Sequence, residues 1–541
     1  MADEVVSAPK TAPADSGILR AGRSENQWAL IWRQFRKRRL AVASGCVILV
    51  LVTVSIFAPM IANDRPIYYL GYNQFAYSSA FRTLNVVMIK STAGKDSQWS
   101  GTEGQVIVGR QIELMSQALS AAALERLRAF ESRLAVALDT DMPGRQSAVS
   151  ELRREFRSEF SVGNVEFVSR SHWPVLAALD WSDALFMMFA ILLLTCPIWN
   201  YGLRKVLPGR KWQNTGAVGL LGVLVAVPVL GAVIWGLSVP SRIDRAQYKQ
   251  GRLIDDDRLD SRTHVAYQAV LWPVVPYGLD EDNLSIQELP PVWPPFWPMD
   301  SETAAKEAEN LGDWDRPHWL GTDSIGRDTL CRMIWGGRVS LSVGIVAVSI
   351  YVTIGIVIGS IAGYFRGIID LLVSRVIEIV ICFPSFFLIL TIVAFAGPSI
   401  FNIMLVIGVT GWTGVARLVR AEFLRLGEQE FVLAGRALGY SSFRIIFRHV
   451  LPNALAPVLV SATFGVAGAI LTESGLSFLG FGITVPKPSW GGILASGRDA
   501  IIRAPWLIYF PGLAIFVTIT AYNLVGEALR DAADPRLRGS R

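Results

Sequence analysis

At 541 residues, with 52% hydrophobic and only 18% charged side chains and a mean hydropathy of +0.39, the chain has a composition that excludes a soluble enzyme and fits a polytopic membrane protein. The net charge of +6 is spread over loops beside apolar runs, so it reads as membrane topology and not as a nucleic-acid-binding surface. Cys46, Cys196, Cys331 and Cys382 share no close spacing, which argues against a metal cluster or a disulfide framework.

Residues 1–31 are polar, rich in Pro and Ala, and lack the apolar centre of a signal peptide, so they predict a disordered tail. Trp32 to Arg39 (WRQFRKRR) places five Lys/Arg before an apolar run from Leu40 to Ala62, long enough for a first span that starts in the cytoplasm. Residues 63–180 then read as an extracytoplasmic region with a helical hairpin. Its first arm carries Ile112, Met115, Leu119, Ala123, Leu127, Phe130 and Leu134 at steps of three and four; its second carries Val149, Leu152, Phe156 and Phe160. Met142-Pro143-Gly144 marks the break between them.

An inserted pair of spans is expected within 181–238, at about 182–199 and 215–238. The short joining loop holds Arg204, Lys205, Arg210 and Lys211 and no acid, which marks it as cytoplasmic. Residues 239–336 form a second extracytoplasmic segment, and its Glu288–Met299 stretch (ELPPVWPPFWPM) is too proline-rich for a helix or a central strand. Five further spans, at about 338–363, 370–397, 400–419, 453–475 and 507–528, make a core over 337–530, followed by a basic tail over 531–541. The expected fold is therefore all-α, with about eight transmembrane helices and both termini in the cytoplasm. A GxxxxGK[ST] phosphate-binding loop is absent from the sequence, so ATP is not expected to bind here in the usual way. No nucleophile–base constellation and no cofactor site can be assigned, and the chain reads as a non-catalytic subunit.

Between the third and fourth of those core spans lies Glu428–Pro452, EQEFVLAGRALGYSSFRIIFRHVLP. Its first part is rich in helix formers, with Val432, Leu433, Ala434 and Ala437 apolar. Gly439 and the Ser441–Ser442 pair then supply a break and an N-cap. A second short helix, Phe443 to Val450, is expected before Pro452 restarts the chain. Helices of about ten residues are marginal alone in water, so this pair needs a surface, either lipid headgroups or another protein.

Here the chain resembles the cytoplasmic EAA loop of ABC importer permeases, through Ala434, Gly435, Gly439, Leu451 and Pro452. The form FVLAGRALGYSSFRIIFRHVLPN is similar to the C-type permease of dipeptide and oligopeptide importers. It departs from the general motif at Leu433, Gly435 and His449, and Gly435 is the unusual one, since Gly inside a helix costs about 1 kcal/mol against Ala. Three further stretches resemble the same family: Gly321–Asp328 (GTDSIGRD) with Gly337–Leu341 (GRVSL); Leu476–Gly482 (LSFLGFG) with Pro488–Gly491 (PSWG); and Gly526–Asp531 (GEALRD) with Asp534-Pro535-Arg536. Asn63–Pro66 and Trp272–Tyr277 look like the branch linked to microcin C-type peptide uptake.

The resemblance implies an inner-membrane permease that moves peptides or peptide-like solutes. It also implies separate ABC ATPase subunits, a second, B-type permease subunit and an extracytoplasmic solute-binding protein. It places the ATPase contact on Phe431, Val432, Leu433, Ala434, Gly435, Arg436, Ala437, Leu438, Gly439, Ser442, Arg444, His449, Leu451 and Pro452. Phe431, Leu433, Phe443 and Ile446 are expected to be buried by that partner, Arg436 and Arg444 to pair with its acids, and a bulky charged residue at Gly439 to uncouple ATP hydrolysis from uptake.

Within the spans, Arg375 and Glu378 are expected to pair, and Glu473 lies either on the transport pathway or at the outer membrane interface. Pro384 and Pro457 are candidate kinks. His172, His264 and His318 are dispersed and do not suggest a metal site. The residues alone leave two other readings open: a stand-alone secondary transporter or channel, and a scaffold or sensor built on the insert between about 70 and 260.

Overall fold

The computed structural model describes residues 27–92, 102–139, 142–196, 198, 210–238, 248–254, 264–292, 317–483 and 487–533. Of the expected tails over 1–31 and 531–541, residues 1–26 and 534–541 lie outside them, as do most of the Pro/Trp-rich stretch and the Arg204-Lys205 loop, whereas residues 27–31 and 531–533 are helical instead.

A short helix α1 (Gln27–Phe35) precedes α2 (Arg39–Ile56), the first apolar helix. Strand β1 (Tyr68–Tyr72) leads into α3 (Gln74–Thr92), α4 (Thr102–Ser116), α5 (Ala121–Asp139) and α6 (Met142–Glu159). These four helices pack around one another, α3 on α4 and α6, and α5 on α4 and α6. Their shared core buries Leu84, Met115, Leu127, Phe130, Leu134, Val149, Phe156 and Phe160. The expected hairpin is thus a four-helix unit. The apolar run from Ile112 to Leu134 is divided because Ser120 starts α5, its carbonyl accepting from Leu124 N and its hydroxyl facing Ala123 N, while Leu119 bridges to Phe167. Met142-Pro143 opens α6 instead of breaking the chain, and a proline in the first helical turn costs no hydrogen bond.

A small mixed sheet, absent from the helical expectation, fastens this bundle to the rest. Strands β2 (Arg170–His172), β3 (Arg252–Leu253) and β4 (Ala266–Leu271) join β1 in the order β2-β1-β4-β3. Tyr69 pairs with His172 on one side and Val270 on the other, and Tyr69, Tyr248 and Tyr267 pack beneath the sheet. Between these strands the chain makes α7 (Trp181–Leu194) and α8 (Arg210–Ser238), which pack together and, through α7, on α2. Arg338 in the long helix that follows donates to Asp183 of α7, tying the inserted pair to the core.

That core comprises α9 (Thr329–Phe365), α10 (Gly367–Ile381), α11 (Ser385–Ala396), α12 (Ile400–Thr410), α13 (Trp412–Leu426), α14 (Glu430–Ala437), α15 (Leu451–Phe478), α16 (Trp490–Arg498) and α17 (Trp506–Ala533). Among the described residues, five helical stretches are long and apolar enough to cross a membrane: α2, α9, Ile400–Leu426, Ser442–Phe478 and α17. The α10–α11 pair makes a sixth if counted as one span, although it bends by 77°. Pro384 explains the bend, because a proline disfavours helical geometry at the residue before it, here Phe383. Helix α7 has 14 residues; at 1.5 Å each it reaches about 21 Å. That is shorter than the roughly 30 Å of a bilayer's hydrocarbon core.

The centre of the core is the contact between α9 and α13. Gly355, Gly359 and Gly363 form a stripe on α9, and a methyl group at any of them would lie 2.5–2.6 Å from Val415, Ala416 or Phe423. Small residues at this spacing let two apolar helices approach closely where burial alone gives no driving force between them.

Candidate functional site

The stretch from Glu428 to Pro452 forms one braced corner at the end of the spans opposite the sheet. Helix α14 turns Val432 and Gly435 inward, where they meet Ile445, Ile446 and Val450 from the following turn. Its C-terminus closes by a paired motif in which Gly439 N donates to the Arg436 carbonyl and Tyr440 N to the Gly435 carbonyl, both about 3 Å long. Gly439 adopts φ +70°, the left-handed geometry this closure requires. The Ser441 hydroxyl then accepts from Arg444 N and caps the next helix, so of the expected serine pair Ser441 is the cap while Ser442 is exposed.

That next helix does not stop before Pro452. Residues Ile445–Val450 widen into a π-turn, Leu451 N donates to the Ile446 carbonyl five residues back, and the helix continues as α15. A proline inside an α-helix has no N–H to donate and clashes with the carbonyl four residues earlier. The wider turn accommodates both. The expected break at Pro452 is therefore corrected to a continuous helix from Ser442 to Phe478.

The corner presents Phe431, Leu433, Leu438, Phe443 and Phe447 to its surroundings, with Phe443 70% exposed and its ring 4.4 Å from that of Phe447, tilted by 38°. Ala434 and Ala437 lie between them on α14. Ile446, expected on this outer face, is only 7% exposed and belongs to the bracing side. Arg444 sits over the Tyr440 ring at 4.1 Å and Arg436 over Tyr364 at 5.5 Å, and neither has an ion pair among the described residues. His449 stacks on Tyr440, and its buried Nε2 has no partner among the described residues, so it faces inward. Arg366 with Glu428, and Arg420 with Asp370, tie the base of the corner to the α9–α10 junction.

A second cluster lies at the opposite end of α15. Glu473 is wholly buried within the protein, and its carboxylate accepts from Ser340 Oγ at 3.0 Å and Ser477 Oγ at 2.8 Å. Ser340 in turn accepts from Trp490 N, and Ser489 reaches Ser477 while capping α16 through Gly492 N. The GRVSL and PSWG stretches, 150 residues apart at Ser340 and Trp490, thus meet around one carboxylate. Arg375 and Glu378 pair as expected, at 2.6 Å, but on a largely exposed face of α10 with no described contact to Glu473.

The GTDSIGRD stretch is a third tightly bonded element. Asp323 accepts from the amides of Ile325 and Arg327 and from the Arg327 guanidinium, while Asp328 caps α9 through Cys331 N. Thr322 links it to Ile286 and Leu289 through its hydroxyl and to Trp506 of α17 through its carbonyl. His318 bonds Asp328 at 2.9 Å and stacks on Tyr277. The other two histidines lie elsewhere, His172 against Tyr69 and His264 against Phe75. Burial, and then Arg170, lowers the pKa of His172 below the ordinary histidine value.

The family described as binding-protein-dependent transport system inner membrane component matches residues 355–539, the part that holds both the corner and Glu473. The N-terminal transmembrane domain of oligopeptide transport permease C matches residues 26–79. The dipeptide transport system permease protein DppC of Alkalihalophilus pseudofirmus is 40% identical over 247 residues, 46% of this chain and 81% of that protein. This chain is an ABC importer permease. The oligopeptide transport system permease protein OppC of Haemophilus influenzae is 44% identical over 221 residues, covering 41% of this permease and 71% of its relative. The glutathione transport system permease protein GsiD of Pectobacterium atrosepticum is 37% identical over 239 residues, covering 43% and 79%. Residues 80–354 of the permease lie outside both family matches; they hold most of its helical bundle, strands β2 to β4 and the α7–α8 pair.

Proposed function

We propose that this permease moves peptides or peptide-like solutes inward across the cytoplasmic membrane, driven by ATP hydrolysis on separate subunits that dock at the Glu428–Pro452 corner. One observation carries the reading: a corner already folded by its own buried side, which leaves Phe431, Leu433, Leu438, Phe443 and Phe447 exposed beside Arg436 and Arg444. Exposed aromatic and aliphatic anchors rimmed by arginine are what a protein partner recognises. The relatives named for dipeptide, oligopeptide and glutathione transport support the substrate class. In this reading both termini and the corner are cytoplasmic, the bundle and sheet lie outside, a second, B-type permease subunit completes the pathway, and a solute-binding protein delivers the ligand. Coupling requires that the ATPase bind the two access states with different affinity.

Replacing Leu438 and Phe443 together by Asp tests this. The variant should reach the membrane in normal amounts yet lose co-purification with the ATPase subunits. Undiminished co-purification would refute the docking site.

A further inference from the structure

We propose that the elbow between α1 and α2 binds anionic phospholipid headgroups. Arg33, Arg36, Lys37, Arg38 and Arg39 place five cations in seven residues where α1 turns into the first span. All five are exposed. Arg38 pairs with Asp531 at the end of α17, and the other four have no ion pair among the described residues.

The array is held in place. Phe35 is buried with Ala41 and Ala528, Val525 and Leu529 pack around them, and Trp32 stacks on Phe35. The turn itself closes through Arg36 N to Trp32 O, Lys37 N to Gln34 O and Arg38 N to Phe35 O, each 3.0–3.1 Å. Trp32 and Leu40 remain exposed on either side, and the apolar surface of α2 continues directly from the cations through Leu49 and Val50. A tryptophan and a set of cations at the end of an apolar span sit at headgroup depth, where the available partner of opposite charge is the lipid phosphate. Each cation near an anionic surface strengthens such binding about fivefold, and the gain falls as salt rises. Neither ATP hydrolysis nor the coupling corner enters this inference, so it stands or falls apart from the transport reading.

The test is lipid retention by the full-length protein, drawn from nanodiscs of equal phosphatidylglycerol and phosphatidylcholine and read by native mass spectrometry. Phosphatidylglycerol should be enriched about tenfold or more over phosphatidylcholine, and less so when salt is raised. A combined Arg33→Gln, Arg36→Gln, Lys37→Gln and Arg39→Gln variant should lose the enrichment; Arg33→Lys, Arg36→Lys and Arg39→Lys should keep it. If the neutral variant fails to insert, the wild-type salt series and the lysine variant still decide the matter. Equal retention of both lipids by the wild type, enrichment unchanged in the neutral variant, loss of enrichment in the lysine variant, or displacement of lipid by millimolar inorganic phosphate would each overturn the proposal.

Discussion

Two glycines four residues apart in the Glu428–Pro452 corner are predicted to respond oppositely to the same added methyl group. At Gly439 there is room, since nothing lies within 4 Å of where a Cβ would sit, but φ is +70°. An L-residue there pays about 1–2 kcal/mol for the left-handed geometry. At Gly435 the backbone is helical and a Cβ would rest 3.6 Å from Tyr440 and 3.9 Å from Ile445, ordinary van der Waals distances. Alanine there should gain about 1 kcal/mol of helix propensity. The two substitutions should therefore differ by about 2–3 kcal/mol. Hydrogen exchange at the amides of residues 432–440 reads this directly: Gly439→Ala should lower protection by about fivefold to thirtyfold, and Gly435→Ala should raise it about fivefold. Gly439→Asn should fall between wild type and alanine, because Asn tolerates this geometry. The expectation that bulk at Gly439 uncouples transport is thereby sharpened, because handedness and not space is the constraint. Equal protection in Gly439→Ala and wild type, or a loss in Gly435→Ala, would refute the argument.

Glu473→Ala should destabilise the permease by about 3 kcal/mol, the loss of two hydrogen bonds to a buried carboxyl group, while Glu473→Gln should cost less than half of that. Thermal unfolding of the two purified variants checks the ordering, and equal losses would refute it, because Gln keeps the volume of Glu and an oxygen that can accept from the serines. The lowered pKa of His172 means that its neutral form is favoured in the folded sheet. Its contribution should be intact above the unfolded value of about 6.5 and decline as the pH falls below it. Protection of the β1 and β2 amides, measured against the intrinsic exchange rate at each pH, should therefore fall between pH 7 and pH 5, and His172→Phe should flatten that dependence.

Much of the helical architecture is legible in spacing alone, because a 3.6-residue period survives whatever the distant contacts are. Ile112, Met115, Leu127, Phe130, Leu134, Val149, Phe156 and Phe160 are identifiable from that period and are buried together. The Gly355–Gly359–Gly363 stripe is equally visible as a four-residue repeat of glycine, although span counting passes over it. The sheet is hidden because its strands are two to six residues long and β1 pairs with partners about 100 and 200 residues away. Nothing local to Glu473 announces Ser340, 133 residues earlier, as its partner. In the corner, Ile446 is buried at the start of the Ile445–Val450 π-turn, whose wider pitch interrupts the 3.6-residue period that would assign its face.

The continuity of Ser442–Phe478 gives the two clusters a mechanical relation that neither has alone. This helix has 37 residues. At 1.5 Å each it runs about 55 Å, long enough to span the membrane with a turn or more to spare at either side. Its first residues form the exposed corner and its last hold Glu473, bonded to α9 through Ser340 and linked to α16 through Ser477 and Ser489. A displacement of the corner therefore reaches the serine cluster unless the helix bends between them. Two features lie along the way where it can bend: the π-turn at Ile445–Val450, and Pro457, which donates no hydrogen bond. Both fall in the first half of the helix, next to the corner. The remainder, from Val458 to Phe478, has no proline and is held at its far end by hydrogen bonds to a buried carboxyl group. The bending points nearest the corner, residues 445–457, are therefore where a displacement of the corner is first absorbed before it can reach Glu473.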